Sequence, residues 1–408
     1  MSDPQRARTR KELGAWYTPP ELVEAVVREA VFPGARSALD PACGDGRFLR
    51  ATGLPTQFGV DIDPTTAASG GFVCDDALTR DWGTQRFDVV VGNPPFLNQM
   101  ARLTTRGGRS RFGGGPYADA AGEFLALAMR LVRPGGRVGM VLPQSLLAAR
   151  DAAGIRAAVD EVAALRWMWW SETNMFDAAV RVWAGVWEVG GVPGVVRRAH
   201  GPGFADAAPL PMPSAWSGLI AGTAVTPHEG PVLGDIAHFV VDFRDQYYGL
   251  VGAVGDEVDG PPLITSGLID PGECHWGRRP VRFAKQSFAA PRVAVERLTP
   301  AMRQWAEQRL VPKILIANQT RVIEAVHDPR GEWLPGVPVI TCVTSQPERV
   351  LEVLASPAAL RWVRHHAAGS GLSAGTVRLG PRLLASIPLP PPVISPPPEM
   401  AVRPRHER

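Results

Sequence analysis

The chain has 408 residues, a formal net charge of +3, 45% hydrophobic residues and 20% charged residues. This balance is typical of a globular protein with a buried core, and it excludes a chain that is disordered throughout. At the usual domain size, the length predicts roughly two to three domains. The nearly balanced charge does not by itself indicate a nucleic-acid partner.

The sequence also argues against a membrane or secreted protein. No apolar run approaches the roughly 20 residues that would span a bilayer, and the polar segment 1–11 lacks the apolar stretch of a secretory signal. The four cysteines are far apart, which fits neither a disulfide framework nor a zinc site. His365 and His366 lack a second ligand cluster and are predicted to lie at the surface. We therefore expect a cytoplasmic protein with no membrane and no metal partner.

Helical and strand patterns alternate through the first half of the chain. Taken in order, they predict a helix at 21–32, strands at 37–40, 58–62 and 87–91, a helix ending near 131, a strand at 137–142, a helix at 151–164 and a strand at 180–187. Such alternation predicts an α/β fold with a doubly wound, Rossmann-like parallel sheet. The tryptophan-rich run at 166–170 is more typical of a buried strand than of a base-stacking surface.

The composition divides the chain into four parts. Residues 1–190 are predicted to form the catalytic domain, and the Gly-, Pro- and Ala-rich residues 191–215 are interpreted as a linker. Residues 216–390 have short strand patterns and many turns, which predict a second domain of mixed α/β structure. The Pro-rich residues 391–408 are predicted to form a disordered tail.

The first chemical motif is the acidic, Gly-rich loop at 40–46, which follows the first strand. A phosphate-binding loop would avoid carboxylates, whereas Asp40 and Asp45 suit a ligand with an amine and hydroxyl groups. About 20 residues later the next strand ends at Asp61, where an acid typically binds the ribose hydroxyls of a nucleoside. Together these features predict S-adenosylmethionine rather than a dinucleotide as the cofactor.

The second motif is Asn93-Pro94-Pro95-Phe96, directly after the Val-rich strand at 87–91. The side-chain oxygen of Asn93 and the carbonyl oxygen of Pro94 can accept both N–H bonds of a planar amine, which directs its lone pair outward. The prolines fix φ and hold these acceptors rigidly, and Phe96 can stack on the ring that carries the amine. The motif predicts methyl transfer to a nitrogen.

These motifs, in this order, resemble the gamma-class amino-methyltransferases, the adenine-specific DNA methyltransferases of the TaqI type. The resemblance is specific over residues 15–187 and diffuse over 215–390. It implies that 1–190 form the S-adenosylmethionine-dependent catalytic domain and that 216–390 form a DNA target-recognition domain. It implies a catalytic tetrad at Asn93, Pro94, Pro95 and Phe96. It implies cofactor-binding residues at Tyr17, Thr18, Pro19, Asp40, Ala42, Gly44, Asp61, Ile62, Asp76, Ala77 and Asn93. The departure is Ala77, which stands where an aromatic residue often packs on the cofactor adenine.

The expected substrate is double-stranded DNA with a flipped-out adenine. The resemblance places Phe176 on the face of the adenine opposite Phe96. Basic residues after the tetrad and in the second domain are further candidates for DNA contact: Arg106, Arg109, Arg111, Arg278, Arg279 and Lys313. The resemblance also implies a restriction-modification or phage-defence setting.

Two alternatives stay open from the sequence. The tetrad also serves methyltransferases that act on guanine in ribosomal RNA or on glutamine in proteins, although these usually lack a large domain after the sheet. The chain can also be a modification subunit that is active only with restriction or defence partner proteins.

Overall fold

The computed structural model describes residues 18–96, 110, 112–116, 118–173, 181–223, 225, 228–371, 373 and 375–390. No helix in this part of the chain is both long enough and apolar enough to cross a membrane. The predicted disordered tail, 391–408, lies outside these ranges.

The first half of the chain builds one nine-stranded sheet. Its strands are β1 (Ser37–Asp40), β2 (Thr56–Asp61), β3 (Val73–Cys74), β4 (Phe87–Gly92), β5 (Val132–Pro143), β6 (Ala163–Trp170), β7 (Val182–Val189), β8 (Val195–His200) and β9 (Ala205–Pro211). The strand order is β3-β2-β1-β4-β5-β7-β6-β8-β9. Strand β7 runs antiparallel to β5 and β6, and β9 runs antiparallel to β8, whereas the remaining pairs are parallel.

Helices cover both faces of this sheet, as predicted for a doubly wound fold. They are α1 (Pro20–Ala30), α2 (Arg47–Thr52), α3 (Pro64–Gly70), α4 (Ala120–Leu131) and α5 (Ala153–Val162). Successive residues of a strand point to opposite faces: Val89 and Val91 of β4 pack with α1, and Val90 packs with the core that contains α4 and α5. The continuous apolar run of β4 is therefore explained by burial on both sides.

The tryptophan-rich strand belongs to the core, as the sequence indicated. Trp167, Trp169 and Trp170 of β6 are all buried. The rings of Trp183 and Trp187 pack edge to face with centroids 5.5 Å apart, and Trp216 packs on both of them. Asp160 of α5 accepts the indole N–H of Trp216. The cluster therefore joins the end of the sheet to the chain that follows it.

The prediction of a linker is wrong for residues 195–211, because this segment contains β8 and β9 and extends the sheet. Val196 and Arg198 of β8 are buried, and the Arg198 guanidinium donates to the carbonyl oxygens of Ala208 and Leu219. Gly201, Pro202 and Gly203, which contributed to the linker prediction, lie in the turn between β8 and β9, where Gly201 and Phe204 both have positive φ.

The second region contains short strands and several helices. Its strands are β10 (Ala237–Val241), β11 (Val254–Gly255), β12 (Leu263–Ile264), β13 (Ile269–Asp270), β14 (Glu273–Cys274), β15 (Val281–Phe283), β16 (Gln286–Phe288), β17 (Arg292–Val293), β18 (Lys313–Ile316), β19 (Gln319–Thr320), β20 (Ala325–Asp328), β21 (Leu334–Pro335), β22 (Ile340–Thr344) and β23 (Val377–Arg378). Its helices are α6 (Gly218–Ala221), α7 (Arg244–Leu250), α8 (Pro300–Arg309), α9 (Pro347–Ala355), α10 (Pro357–Ala367) and α11 (Pro381–Ala385). An antiparallel sheet of order β10-β22-β18-β20 forms its centre.

The prediction that His365 lies at the surface is wrong, because this residue is completely buried. Its Nδ1 lies 2.8 Å from the carbonyl oxygen of Thr223 and its Nε2 lies 3.2 Å from the hydroxyl of Ser214. The hydroxyl of Ser217 donates to the His365 carbonyl oxygen. His365 on α10 therefore fixes the segment that leads from the nine-stranded sheet into the second region.

Candidate active site

The carboxyl ends of β1, β2 and β4 bring the predicted site residues to one edge of the sheet. These strands are adjacent and parallel, with β1 between β2 and β4. Asp40 ends β1, Asp61 ends β2, and Asn93 follows Gly92, the last residue of β4. Ligands of open α/β sheets bind outside the carboxyl ends of the strands, so this edge is the expected binding site.

The loop after β1 is held to the end of β2 by backbone hydrogen bonds. Cys43 N–H donates to the carbonyl oxygen of Val60 at 2.9 Å, and Gly44 N–H donates to Oδ2 of Asp61 at 2.8 Å. The other Asp61 oxygen accepts the N–H of Asp63 at 2.9 Å. Asp61 therefore has a fixed orientation, while the remaining lone pairs of its two oxygens can accept ribose hydroxyl donors.

Asp40 is a buried carboxyl group at the base of the site. It is 1% exposed, and its Oδ1 accepts the N–H of Ala42 at 3.1 Å. Burial raises the Asp40 pKa to about 8; the Ala42 N–H opposes this rise, while the charges of Asp61 and Asp45 add to it. A Cβ on Gly92 would lie 2.6 Å from Asp40 Oδ1, so glycine is required where β4 passes this carboxyl group.

Asp45 has a different role from the one expected. It accepts three hydrogen bonds from the side chain of Arg47 and one from the Arg47 backbone N–H. The same guanidinium donates to the carbonyl oxygen of Thr18. Thr18 is buried, so Arg47 connects the N-terminal segment to the loop after β1. Arg47 was not among the predicted site residues, although an arginine two residues after an acid in this loop is a recognisable pattern for an ion pair.

An apolar surface lies beside the Asp61 carboxylate. Ile62 is 54% exposed although it is a large hydrophobic residue, which suits packing against a flat ring. At the end of β3, Asp76 Oδ1 accepts the N–H of Leu78 at 3.0 Å. Ala77 is buried, and its carbonyl oxygen accepts the indole N–H of Trp82 at 3.0 Å. Trp82 packs with Phe58 and Phe87, so the aromatic side chains here belong to the core.

The tetrad follows β4 without an intervening residue. Asn93 is half-buried, and its side-chain Oδ1 atom is buried. Pro94 is buried, whereas Pro95 and Phe96 are half-buried. Phe96 packs against the cores on both faces of the sheet. The predicted hydrogen-bond acceptors thus directly follow Gly92, which passes Asp40, and the predicted stacking ring is supported by the core.

Several predicted site residues lie outside the described part of the chain. They are Tyr17, Arg106, Arg109, Arg111 and Phe176.

The second-region candidates differ in their access to solvent. Arg278 pairs with Glu273 at 2.7 Å and Arg279 pairs with Asp270 at 2.9 Å, and both arginines are exposed. The side chain of Lys313 is 0% exposed, and its ammonium donates to Asp328 at 2.6 Å. This burial argues against the predicted contact of Lys313 with DNA, because the ammonium would have to leave its carboxylate to reach a phosphate.

The residues at this edge fit a cationic nucleoside ligand. Carboxylates accept hydrogen bonds from hydroxyl and ammonium donors, and a positive charge at the edge would favour the ionised form of Asp40, which burial disfavours. In the part of the chain that the structure describes, β1, β2 and β4 end at Asp40, Asp61 and Gly92, none of which is a basic residue. Among the described residues, no group of three or more His, Cys, Asp and Glu side chains is arranged to hold a metal ion.

Comparison with known proteins gives a family match within the first half. Residues 66–166 match the sequence model of the Eco57I restriction-modification methylase family. The chain is 32% identical over 167 residues to the type II methyltransferase M.TthHB8I of Thermus thermophilus, covering 36% of this chain and 38% of that protein. It is 27% identical over 103 residues to the type II methyltransferase M.CvrRI of a Paramecium bursaria Chlorella virus, covering 22% of this chain and 27% of that protein.

A solved structure extends the similarity of the fold to nearly the whole chain. The type IIL restriction-modification enzyme MmeI aligns with 94% of this chain and 65% of its own chain, with a TM-score of 0.54 and 12% sequence identity. The curated relatives are matched over less than two-fifths of their length. The predicted fold class is confirmed, and the match to a methylase family model fits the predicted cofactor, S-adenosylmethionine. Residues 66–166 are therefore similar to a restriction-modification methylase of the Eco57I type.

Proposed function

We propose that the protein transfers a methyl group from S-adenosylmethionine to the exocyclic amine of a flipped-out adenine in double-stranded DNA. The observation that carries this proposal is the position of Asn93-Pro94-Pro95-Phe96 directly after β4, beside the acidic ends of β1 and β2. The match to restriction-modification methylases supports DNA as the substrate, and a restriction-modification or phage-defence system is the proposed setting.

The proposed chemistry rests on hydrogen-bond acceptors. An adenine amine is a weak nucleophile because its lone pair is delocalised into the ring. The Asn93 side-chain oxygen and the Pro94 carbonyl oxygen accept its two N–H bonds, which turns the lone pair toward the reacting methyl group. The cofactor supplies that methyl group on a positively charged sulfur. Phe96 stacks on the adenine and offsets part of the few kcal/mol that flipping costs.

The remaining residues hold the reactants. Asp61 accepts hydrogen bonds from the ribose, Ile62 packs on a ring of the nucleoside, and Asp40 faces the cationic end of the cofactor. In this proposal Phe176 covers the second face of the adenine, while Arg106, Arg109, Arg111, Arg278 and Arg279 contact the DNA backbone.

The test is transfer of labelled methyl groups to unmethylated genomic DNA, with total RNA and total protein as parallel substrates, followed by nucleoside analysis. Methyl-adenine in DNA alone is the expected result. Label in guanine of RNA or in protein would contradict the proposal. Cofactor binding without label in any substrate would instead indicate a modification subunit that requires a partner protein.

A further inference from the structure

Exposed aromatic and basic side chains cluster on the second region, outside the predicted site residues. They lie on α7 and on the hairpin formed by β15 and β16. Phe243 is 73% exposed and Tyr248 is 56% exposed, while Arg244 and Lys285 are also exposed. We call these four residues the α7–hairpin surface. Exposed aromatic rings beside cations are typical of a binding surface.

Tyr247 joins the helix to the hairpin tip. Its hydroxyl accepts the N–H of Ala284 at 3.1 Å, and its ring lies 4.9 Å from the ring of Phe283 and 5.4 Å from that of Tyr248. The Arg244 guanidinium lies 5.5 Å from the centre of the Tyr248 ring. Lys285 directly follows Ala284, so Tyr247 and Tyr248 connect Arg244 to the hairpin tip that carries Lys285.

The helix beneath this surface is firmly anchored. Asp242, next to the start of α7, forms an ion pair with Arg309 of α8 at 2.6 Å, and both side chains are largely buried. A Cβ on Gly249 would lie 2.5 Å from the sulfur of Met302, which shows how closely α7 packs on α8. The exposure of Phe243 and Tyr248 therefore does not come from a frayed or unsupported element.

The hairpin tip holds a lysine in a costly conformation. Strands β15 and β16 pair Phe283 with Gln286, which leaves a two-residue turn. Its central residues, Ala284 and Lys285, have φ values of 48° and 67°, where glycine or asparagine is preferred. The left-handed conformation is unfavourable for residues with a Cβ atom. Such strain is concentrated at functional sites, and here it presents a cation at an exposed tip.

We infer that the α7–hairpin surface binds the sugar-phosphate backbone of duplex DNA; this inference rests on the proposed function. Arg244 and Lys285 contact phosphates, and the rings of Phe243 and Tyr248 pack against deoxyribose. Unlike Arg278 and Arg279, these cations form no ion pair with any described carboxylate.

Two carboxylates near α7 and the hairpin have structural roles of their own. Asp245 lies in the first turn of α7, where a carboxylate stabilises the helix. Asp256 accepts the N–H groups of Ala289 and Ala290, just beyond β16.

The experiment measures the affinity of the cofactor-saturated full chain for a fluorescent duplex oligonucleotide, by anisotropy over a range of salt concentrations. The variants are Phe243→Ser, Tyr248→Ser and Lys285→Asn; asparagine removes the charge and tolerates the left-handed turn. Lys285→Asn should weaken binding to all sequences and reduce the slope of log affinity against log salt by about one. Each serine variant should weaken binding by about tenfold, with the salt slope unchanged.

The matched controls are Val192→Ser, which removes an apolar side chain that is 78% exposed on the first half of the chain, and Arg330→Gln, which removes an exposed cation elsewhere in the second region. Both should bind DNA like the wild type, and all variants should bind S-adenosylmethionine normally. Wild-type affinity and slope in all three surface variants would overturn the inference, as would a wild-type chain that binds no DNA.

The two proposals can fail separately. If the wild-type chain methylates DNA and the surface variants bind DNA normally, only the inference about the α7–hairpin surface is contradicted. If DNA binding depends on the α7–hairpin surface but no DNA is methylated, the proposed activity is contradicted and the inference about the surface still stands.

Discussion

Arg47 and Asp45 form a bidentate ion pair at the start of α2, and the same arginine donates to the carbonyl oxygen of Thr18. Burial raises the pKa of Asp45, but the hydrogen bonds from Arg47 outweigh this and lower it overall. The pair therefore remains charged at neutral pH. It ties the N-terminal segment to the loop that carries the cofactor-binding residues.

The first prediction concerns this connection. Arg47→Ala should weaken S-adenosylmethionine binding by about tenfold or more, because Thr18 loses its donor and Asp45 its partner. Arg47→Lys should recover only part of this affinity, since an ammonium cannot replace the planar fork. Calorimetric titration with the cofactor measures the effect. Normal affinity in Arg47→Ala would show that the connection does not shape the site.

Asn93→Ala should reduce methyl transfer by at least about a hundredfold, far more than it weakens cofactor binding. The variant removes one of the two acceptors that orient the amine, and loss of one preorganised polar group at a reacting centre costs this much. Single-turnover transfer to DNA and cofactor titration separate the two effects. A turnover near that of the wild type would contradict the proposed role of the tetrad.

The raised pKa of Asp40 predicts that the stability of the cofactor-free protein depends on pH. Its pKa is raised from 3.8 to about 8 in the folded protein, so the folded state binds the proton more tightly than the unfolded state does. The contribution of Asp40 to the free energy of unfolding is fully favourable below pH about 3.8 and is lost as the pH rises through about 8. Denaturant unfolding should show stability falling over this range, and Asp40→Asn should flatten the fall. An unchanged pH profile in the variant would assign the dependence to other groups.

Variants of Lys313 distinguish a structural role of this residue in the core from a contact with DNA. Burial lowers the Lys313 pKa and the Asp328 carboxylate opposes this change. Lys313→Ala leaves Asp328 buried without its partner and should cost about 3–5 kcal/mol of stability, whereas Lys313→Met with Asp328→Asn should cost less. Chemical denaturation measures both variants. If the double variant folds and binds DNA like the wild type, Lys313 contributes to the core alone; a lower salt slope for DNA binding would restore the contact predicted from the sequence.

Local patterns predicted the fold and the strand ends that carry the candidate site residues, because such patterns depend on residues that are close in sequence. The apolar run at 87–91, the acids that end β1 and β2, and the tetrad after β4 each report strand and turn structure directly. Adjacent parallel strands bring their carboxyl ends together, so the sequence also predicted that Asp40, Asp61 and Asn93 meet at one edge.

Asp88 shows what such a pattern leaves out. It interrupts the apolar strand β4, yet it is buried, because its carboxylate accepts the backbone N–H groups of Arg36 and Ser37 and the hydroxyl of Ser37. The partners lie more than fifty residues earlier in the chain. No local pattern reveals such a pairing.

The sequence by itself determined the sheet, the order of its motifs and the identity of the acidic and amide groups at the strand ends, since these follow from hydrophobic period and turn chemistry. Only the tertiary structure decided which polar groups were already satisfied by distant partners. It placed Asp45 on Arg47, Lys313 on Asp328 and His365 on Thr223, and it added 195–211 to the sheet. Burial and hydrogen bonding between residues far apart in sequence control the availability of a side chain, and residue type alone does not determine either.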